Sequence, residues 1–315
     1  MQLTSPEFAL PTFLVEKPGE LEDAVERLAS AGECAVDTES NSLYAYQERV
    51  CMIQVSTADA NFLIDPLKTG EVPQLGKIMS DAGMRKYMHG ADYDIGCMKR
   101  DFGFEFRNVF DTMTAAKLLK LPRISLAFLV EHFAGVKLSK KLRKSDWGKR
   151  PIPPGHLVYL ARDTEYLIEV GRRLDAMLKD AGVEGKAAEE FRAVESRAAL
   201  PLVRDTSSMW NVKGVFSLDK KHIPVFYRLY QWREREARRR DVPPFKVLGH
   251  ATLLYVARLE RCDENALAKA PGVTRLVMRR YGAAILNAAR EGVKTPLSRV
   301  PRPPRGRGRM NRGSW

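Results

Sequence analysis

Cysteine, histidine and long apolar runs are all scarce in this chain. Of its 315 residues only four are cysteine (Cys34, Cys51, Cys97 and Cys262) and five are histidine. No CxxC pair and no HExxH pattern occurs, which speaks against a zinc site. The scattered cysteines read as small core hydrophobes. No run of about 18 apolar residues is present, so neither a transmembrane helix nor a membrane partner is expected. The N-terminus, MQLTSPEFALPTFLVEKPGE, brings acids and prolines early and lacks a basic leading region. It does not read as a secretory signal, and the expected compartment is the cytoplasm. Coiled-coil heptads are missing too, and a monomer is expected.

What the chain has in excess is positive charge. Lys and Arg number 52 against 39 Asp and Glu, a formal charge of +13. Such an imbalance favours polyanionic partners, nucleic acid first and anionic membrane second, although solubility alone also accounts for it. The hydrophobic fraction of 44% is that of a globular protein. The length suits roughly two domains.

Periodicity divides the chain. Leu21, Ala24, Val25 and Leu28 recur at helical spacing. CAVD, then CMIQVST and NFLID, read as strands, the last two as a hairpin, so the sheet is expected to be mixed. KYMHG reads as a further strand between helices, and Asp111 as a helix N-cap. One helix is expected over 156–180. The boundaries that follow are an α/β domain over 1–183, a connector over 184–212 that opens on a helical piece, a small all-α domain over 213–292, and a tail over 293–315. The tail carries six arginines and no acid among many Pro and Gly residues, and is expected to be disordered.

The acids carry the chemistry. In AVDTES, Asp37 and Glu39 are two apart and so share one face of a strand. Two adjacent carboxylates repel unless a cation lies between them, and Mg²⁺ takes such oxygen ligands. Solvent exposure or pairing with Lys or Arg is the plainer reading of this segment by itself. In HGADYDIGCM, Asp94 follows His89 by five residues, and Asp92 and Asp94 are also ordinary helix N-terminal residues. In YLARD, Tyr159 and Asp163 are at i and i+4 on one helical face, which an amphipathic pair would also give.

Taken in order, D-x-E on a strand, H-x4-D-x3-M at a helix and Y-x3-D on a late helix resemble the DEDD family of 3′–5′ exonucleases, in its tyrosine branch. SLAFLVEHFAGVKLSKKLRKSDWGKRPI and LVYLARDTEYLIEV look like ribonuclease D and its relative in the nuclear exosome. QWREREARRRDVPPFKVL with APGV is similar to the HRDC domain. The resemblance covers roughly residues 10–292. It implies a ribonuclease H-like α/β exonuclease domain followed by an HRDC-like bundle. It also implies Asp37, Glu39, Asp94 and Asp163 as ligands of two divalent cations, Mg²⁺ or Mn²⁺, with Tyr159 as the fifth active-site residue. The implied substrate is RNA with a single-stranded 3′ end, such as a tRNA precursor, and the product a nucleoside 5′-monophosphate.

A groove for single-stranded RNA combines positive charge with stacking faces. The expected contacts are Lys140, Lys141, Arg143, Lys144 and Trp147 in the basic loop, and Arg307 and Arg309 in the tail. Trp147 either lines the entrance or packs in the core. Arg233, Arg235, Arg238, Arg239 and Arg240 either meet RNA or form a solvated face paired with Glu234 and Glu236. Many ribonuclease D proteins carry two HRDC-type domains, and this chain has room for one. A DNA exonuclease, or a non-catalytic RNA-binding adaptor, are the competing classes.

Overall fold

The computed structural model describes residues 1–139, 141–201 and 206–304. They form two compact units, the first Met1–Asn41 with Glu48–Pro201, the second Ser42–Gln47 with the described residues from 206 on. No helix among the described residues is long and apolar enough to cross a membrane.

The first unit is built on seven strands: β1 Gln2–Leu3, β2 Thr12–Val15, β3 Glu33–Ser40, β4 Val50–Ser56, β5 Asn61–Ile64, β6 Arg85–Met88 and β7 Val109–Asp111. Their order is β1-β2-β5-β4-β3-β6-β7. β3, β4 and β5 pair antiparallel, whereas β3–β6, β6–β7 and β2–β5 pair parallel, so the sheet is mixed. Strand alternation sorts the side chains onto two layers. Cys34 and Val36 of β3, with Ile53 and Val55 of β4, pack under the Pro18–Ala29, Pro73–Ser80 and Asp92–Phe102 helices. Ala35, Tyr87 and Phe110 face the Leu126–Ala134 and Leu167–Asp180 helices on the other side. Gly171 makes that second packing possible, because a Cβ there would lie 2.1 Å from the Tyr87 ring.

Two expectations change. The helix expected over 156–180 is two, Pro154–Thr164 and Leu167–Asp180. At the break the buried Glu165 carboxylate accepts hydrogen bonds from the Ala9 N–H and the Asn61 amide, both at 2.8 Å. The helical piece expected to open the connector, Glu184–Glu195, belongs to the first unit. Its Ala187, Phe191 and Val194 form an apolar stripe buried on the first unit, with Phe191 4.7 Å from the Phe110 ring.

The second unit is all-helical, with helices Ile223–Arg239, His250–Ala257, Glu264–Ala268 and Arg275–Val293 as its main members. Phe226, Leu229, Leu253, Val256 and Ile285 fill its centre. The first and last of these helices cross closely at Gly292, where a Cβ would lie 2.4 Å from the Val225 Cα. The boundary expected at 293 moves outward. Leu297–Arg299 forms a 3₁₀ turn, Val300 is buried, and the Trp210 indole donates to the Pro301 carbonyl at 2.9 Å.

Candidate active site

The acids come from three segments that the topology brings to one end of β3. β3 runs parallel to β6 but outlasts it: their pairing ends at Ala35 opposite Tyr87, and β3 continues through Asp37 and Glu39. After β6 the chain turns at Gly90, with φ +69°, and enters the Asp92–Phe102 helix, whose first turn carries Asp94. Across the other face the Pro154–Thr164 helix packs on β4 and carries Tyr159 and Asp163 on adjacent turns. Asp37, Glu39, Asp94 and Asp163 therefore gather, as their mutual charge effects record. Asp92 stays outside the group and pairs with Arg197 at 2.7 Å.

Burial and repulsion dominate the electrostatics. Asp37 is held well above the usual carboxylate range by burial first, then by Asp94, Asp163 and Glu39. Glu39 is pushed up to about 9, by burial and then by Asp163 and Asp94, with Arg143 pulling the other way. Burial likewise raises Asp163 to about 7 and Asp94 to about 6. The Tyr159 phenol, which reaches the Asp163 carboxylate, and Arg143 offset the first shift, and the Thr38 hydroxyl, which donates to Asp94, offsets the second. The Tyr159 phenol is itself raised above its ordinary value by burial and the neighbouring acids, so it stays protonated and serves as a donor, not a base. His89 is lowered to about 4 by burial, and its Nδ1 lies 3.0 Å from the Thr112 hydroxyl, which makes it a neutral structural residue.

Four oxygen-donor side chains without imidazole or thiolate suit a hard divalent cation. Their shared elevation is the strain that such a cation relieves. Among the described residues no three candidate ligands already stand together at one coordinating point.

The basic loop is placed by a clasp that no sequence motif signals. Arg150 donates from Nε to Asp65 at 2.5 Å and from its terminal nitrogens to Asp65, to the Cys51 carbonyl and to the Trp147 carbonyl. Asp65 is fully buried. This anchors Trp147, and here the expectation of an RNA-stacking face is corrected. Trp147 is 2% exposed, stacks on Tyr159 at 5.8 Å and turns its indole N–H toward Glu39, opposing the rise of that carboxyl. Its aromatic mass completes the apolar layer under the helix, which outweighs exposure to solvent. Lys141, Arg143 and Lys144 are exposed, and Arg143 faces Glu39 and Asp163 closely enough to lower both. Lys140, Arg307 and Arg309 lie outside the described residues.

Asp111 reads in the sequence only as a helix cap. It caps Met113 and Thr114, and it also accepts from the Gly90 and Ala91 N–H groups at 2.9 and 3.1 Å, fixing the turn that delivers Asp94. In the second unit the arginines divide. Arg233 is buried and paired with Glu234 at 2.8 Å, so it cannot meet RNA. Arg239 pairs with Glu236 and Arg240 with the Tyr281 hydroxyl beside a hollow of about 360 Å³ lined also by Trp232 and Arg280.

Comparison with known proteins agrees with this arrangement. The 3′–5′ exonuclease family matches residues 13–179 and the HRDC domain residues 223–288. Exosome complex exonuclease RRP6 of Saccharomyces cerevisiae is 31% identical over 296 residues, 89% of this chain and 40% of the yeast protein. The catalytic core of RRP6 from Trypanosoma brucei superposes with a TM-score of 0.75 at 28% identity, covering 93% of this chain and 84% of that one. Escherichia coli RNase D, described as an exoribonuclease involved in structured RNA processing, gives 0.73 at 25%, covering 93% and 78%. The chain spans less than half the length of the curated relatives it matches. The cytoplasmic compartment expected from the N-terminus is overturned here, since the yeast relative is named for the exosome complex, which the motif resemblance associates with the nucleus. Early acids and prolines bear on secretion and carry no information on nucleus against cytoplasm. The expected monomer is likewise not upheld, because that relative is named as part of a complex.

Proposed function

Since the chain belongs to the 3′–5′ exonuclease family and carries an HRDC domain, we propose that it is a metal-dependent exoribonuclease releasing nucleoside 5′-monophosphates from RNA 3′ ends. The observation that carries this reading is the convergence of Asp37, Glu39, Asp94 and Asp163 with Tyr159 at one end of β3. A protein that only binds a polyanion has no use for four buried acids facing it. The similarity to Escherichia coli RNase D, which processes structured RNA, supports structured RNA as the substrate class, and we extend it to tRNA-like 3′ ends.

In this mechanism Asp37, Glu39, Asp94 and Asp163 would hold two Mg²⁺ or Mn²⁺ ions. When bound, these supply a water of lowered pKa and neutralise the departing 3′-oxygen. Tyr159 hydrogen-bonds the attacking water through its phenol oxygen and orients it, held in place by the Trp147 ring and by Asp163 one turn on. Arg143 faces Glu39 and Asp163 from the loop and neutralises part of the phosphate charge. Lys141 and Lys144, exposed on the same loop, guide the strand.

The test is a time course on a 5′-labelled RNA with a single-stranded 3′ end beyond a hairpin, with a matched DNA, in Mg²⁺ or Mn²⁺. A one-nucleotide ladder descending to the hairpin, absent in Asp37→Ala and Asp163→Ala, is expected. An RNA band unchanged in wild type defeats the proposal, and a ladder on DNA alone redirects it to a DNA exonuclease.

A further inference from the structure

Gln54 is fully buried on β4, and neither its amide nitrogen nor its amide oxygen has a hydrogen-bond partner. A buried, unsatisfied amide loses its bonds to water and gains none in return, so its retention calls for a use. Its neighbours narrow the use. In register Gln54 lies opposite Asp37 on β3 and opposite Leu63 on β5. Residues directly opposite in antiparallel strands share a face, with Cβ atoms about 5 Å apart. Along β4 the same face carries Met52 and Ser56. Met52 is apolar, and Ser56 is already taken by Asn61 at 2.7 Å and Thr164 at 2.6 Å. Among these sheet neighbours Asp37 is the one carboxylate directly beside the amide.

We infer that Gln54 is a positioning residue for the metal site, donating its amide N–H to the Asp37 carboxylate once that group turns to hold a cation. It touches neither substrate nor the reacting atoms and acts through Asp37. The inference rests on the proposed metal-dependent reading. A carboxylate that coordinates through one oxygen needs its other oxygen held, and losing such a support costs about 10–100-fold in metal affinity. The amide has no partner in the structure, and a cation-bound Asp37 directly opposite would give it an acceptor.

The two states make opposite demands on a substitution. Gln54→Met keeps the bulk and removes the orphaned amide. It should melt in EDTA at or above the wild-type temperature, because an unsatisfied polar group has gone. In the same protein Mn²⁺ affinity, read by calorimetry without RNA, should fall at least tenfold. Gln54→Glu keeps the shape and replaces the donor with an acceptor; at pH 8 it should lose at least tenfold in Mn²⁺ affinity as well, which preserves the test if the Met variant does not fold. Mn²⁺ affinity within threefold of wild type in either folded variant overturns the inference. Failure of wild type to bind Mn²⁺ at all removes the metal reading itself, and the inference with it, and is recognised because it occurs before any substitution.

Discussion

Asp163→Asn should stabilise the metal-free protein while destroying its activity. Holding the Asp163 carboxyl near 7 in place of its ordinary 3.8 separates its charged and neutral forms by about 4 kcal/mol. The sign is set by proton linkage. Between about pH 4 and 7 the folded protein keeps a proton that the unfolded chain has released, so stability falls as pH rises through that window. Above pH 7 the penalty is complete, and below pH 4 it is absent. An amide carries no such penalty. Relaxation of the other three acids absorbs part of it, and a net gain of about 2 kcal/mol is expected at pH 8, or about 4–8 °C in melting temperature for a domain of this size. Thermal melts in EDTA at pH 8 and pH 5 measure it, and the gain at pH 5 should be less than half that at pH 8. With excess Mn²⁺ the order reverses, because the cation stabilises only the intact ligand set. The reasoning is refuted if the variant melts below wild type in EDTA at pH 8, or gains as much at pH 5 as at pH 8.

Three further outcomes are expected. Asp65→Ala strands the Arg150 guanidinium against a buried pocket and should cost about 3–5 kcal/mol in urea unfolding, the penalty for breaking a buried pair. Trp147→Leu should lower kcat at least tenfold because the ring that holds Tyr159 is gone. RNA affinity in EDTA should change less than twofold, whereas a large drop in affinity would restore Trp147 as an RNA-stacking residue. Lys141→Glu with Lys144→Glu should weaken RNA binding and flatten the slope of log affinity against log salt by about 0.7 for each phosphate no longer neutralised, and an unaltered slope would take the loop out of the binding path.

The legible part of the fold is whatever periodicity and chain order encode. The β3 alternation puts Asp37 and Glu39 on one face, the hairpin pattern of β4 and β5 makes the sheet mixed, and the i, i+4 spacing joins Tyr159 to Asp163. Each is a local geometric fact, so a sequence contains it. The helical piece over 184–195 is legible in the sequence, but its place in the first unit is not, because Ala187, Phe191 and Val194 are a sparse stripe among charges, whose burial depends on Phe110 far away in the chain. Trp147 stays undecided in the sequence for a related reason: an aromatic in a basic loop reads the same whether it faces RNA or a core.

The sequence alone thus determined the family, the two folded units and the five residues that converge on one end of β3. Tertiary structure decided how they are held: Asp111 pinning the Asp94 turn, Arg150 and Asp65 closing the loop over Tyr159, and Gln54 left unpaired beside Asp37. These pairings join residues separated by long stretches of chain, and no spacing rule predicts them. They exist because a buried polar group must find its partner wherever folding happens to deliver one.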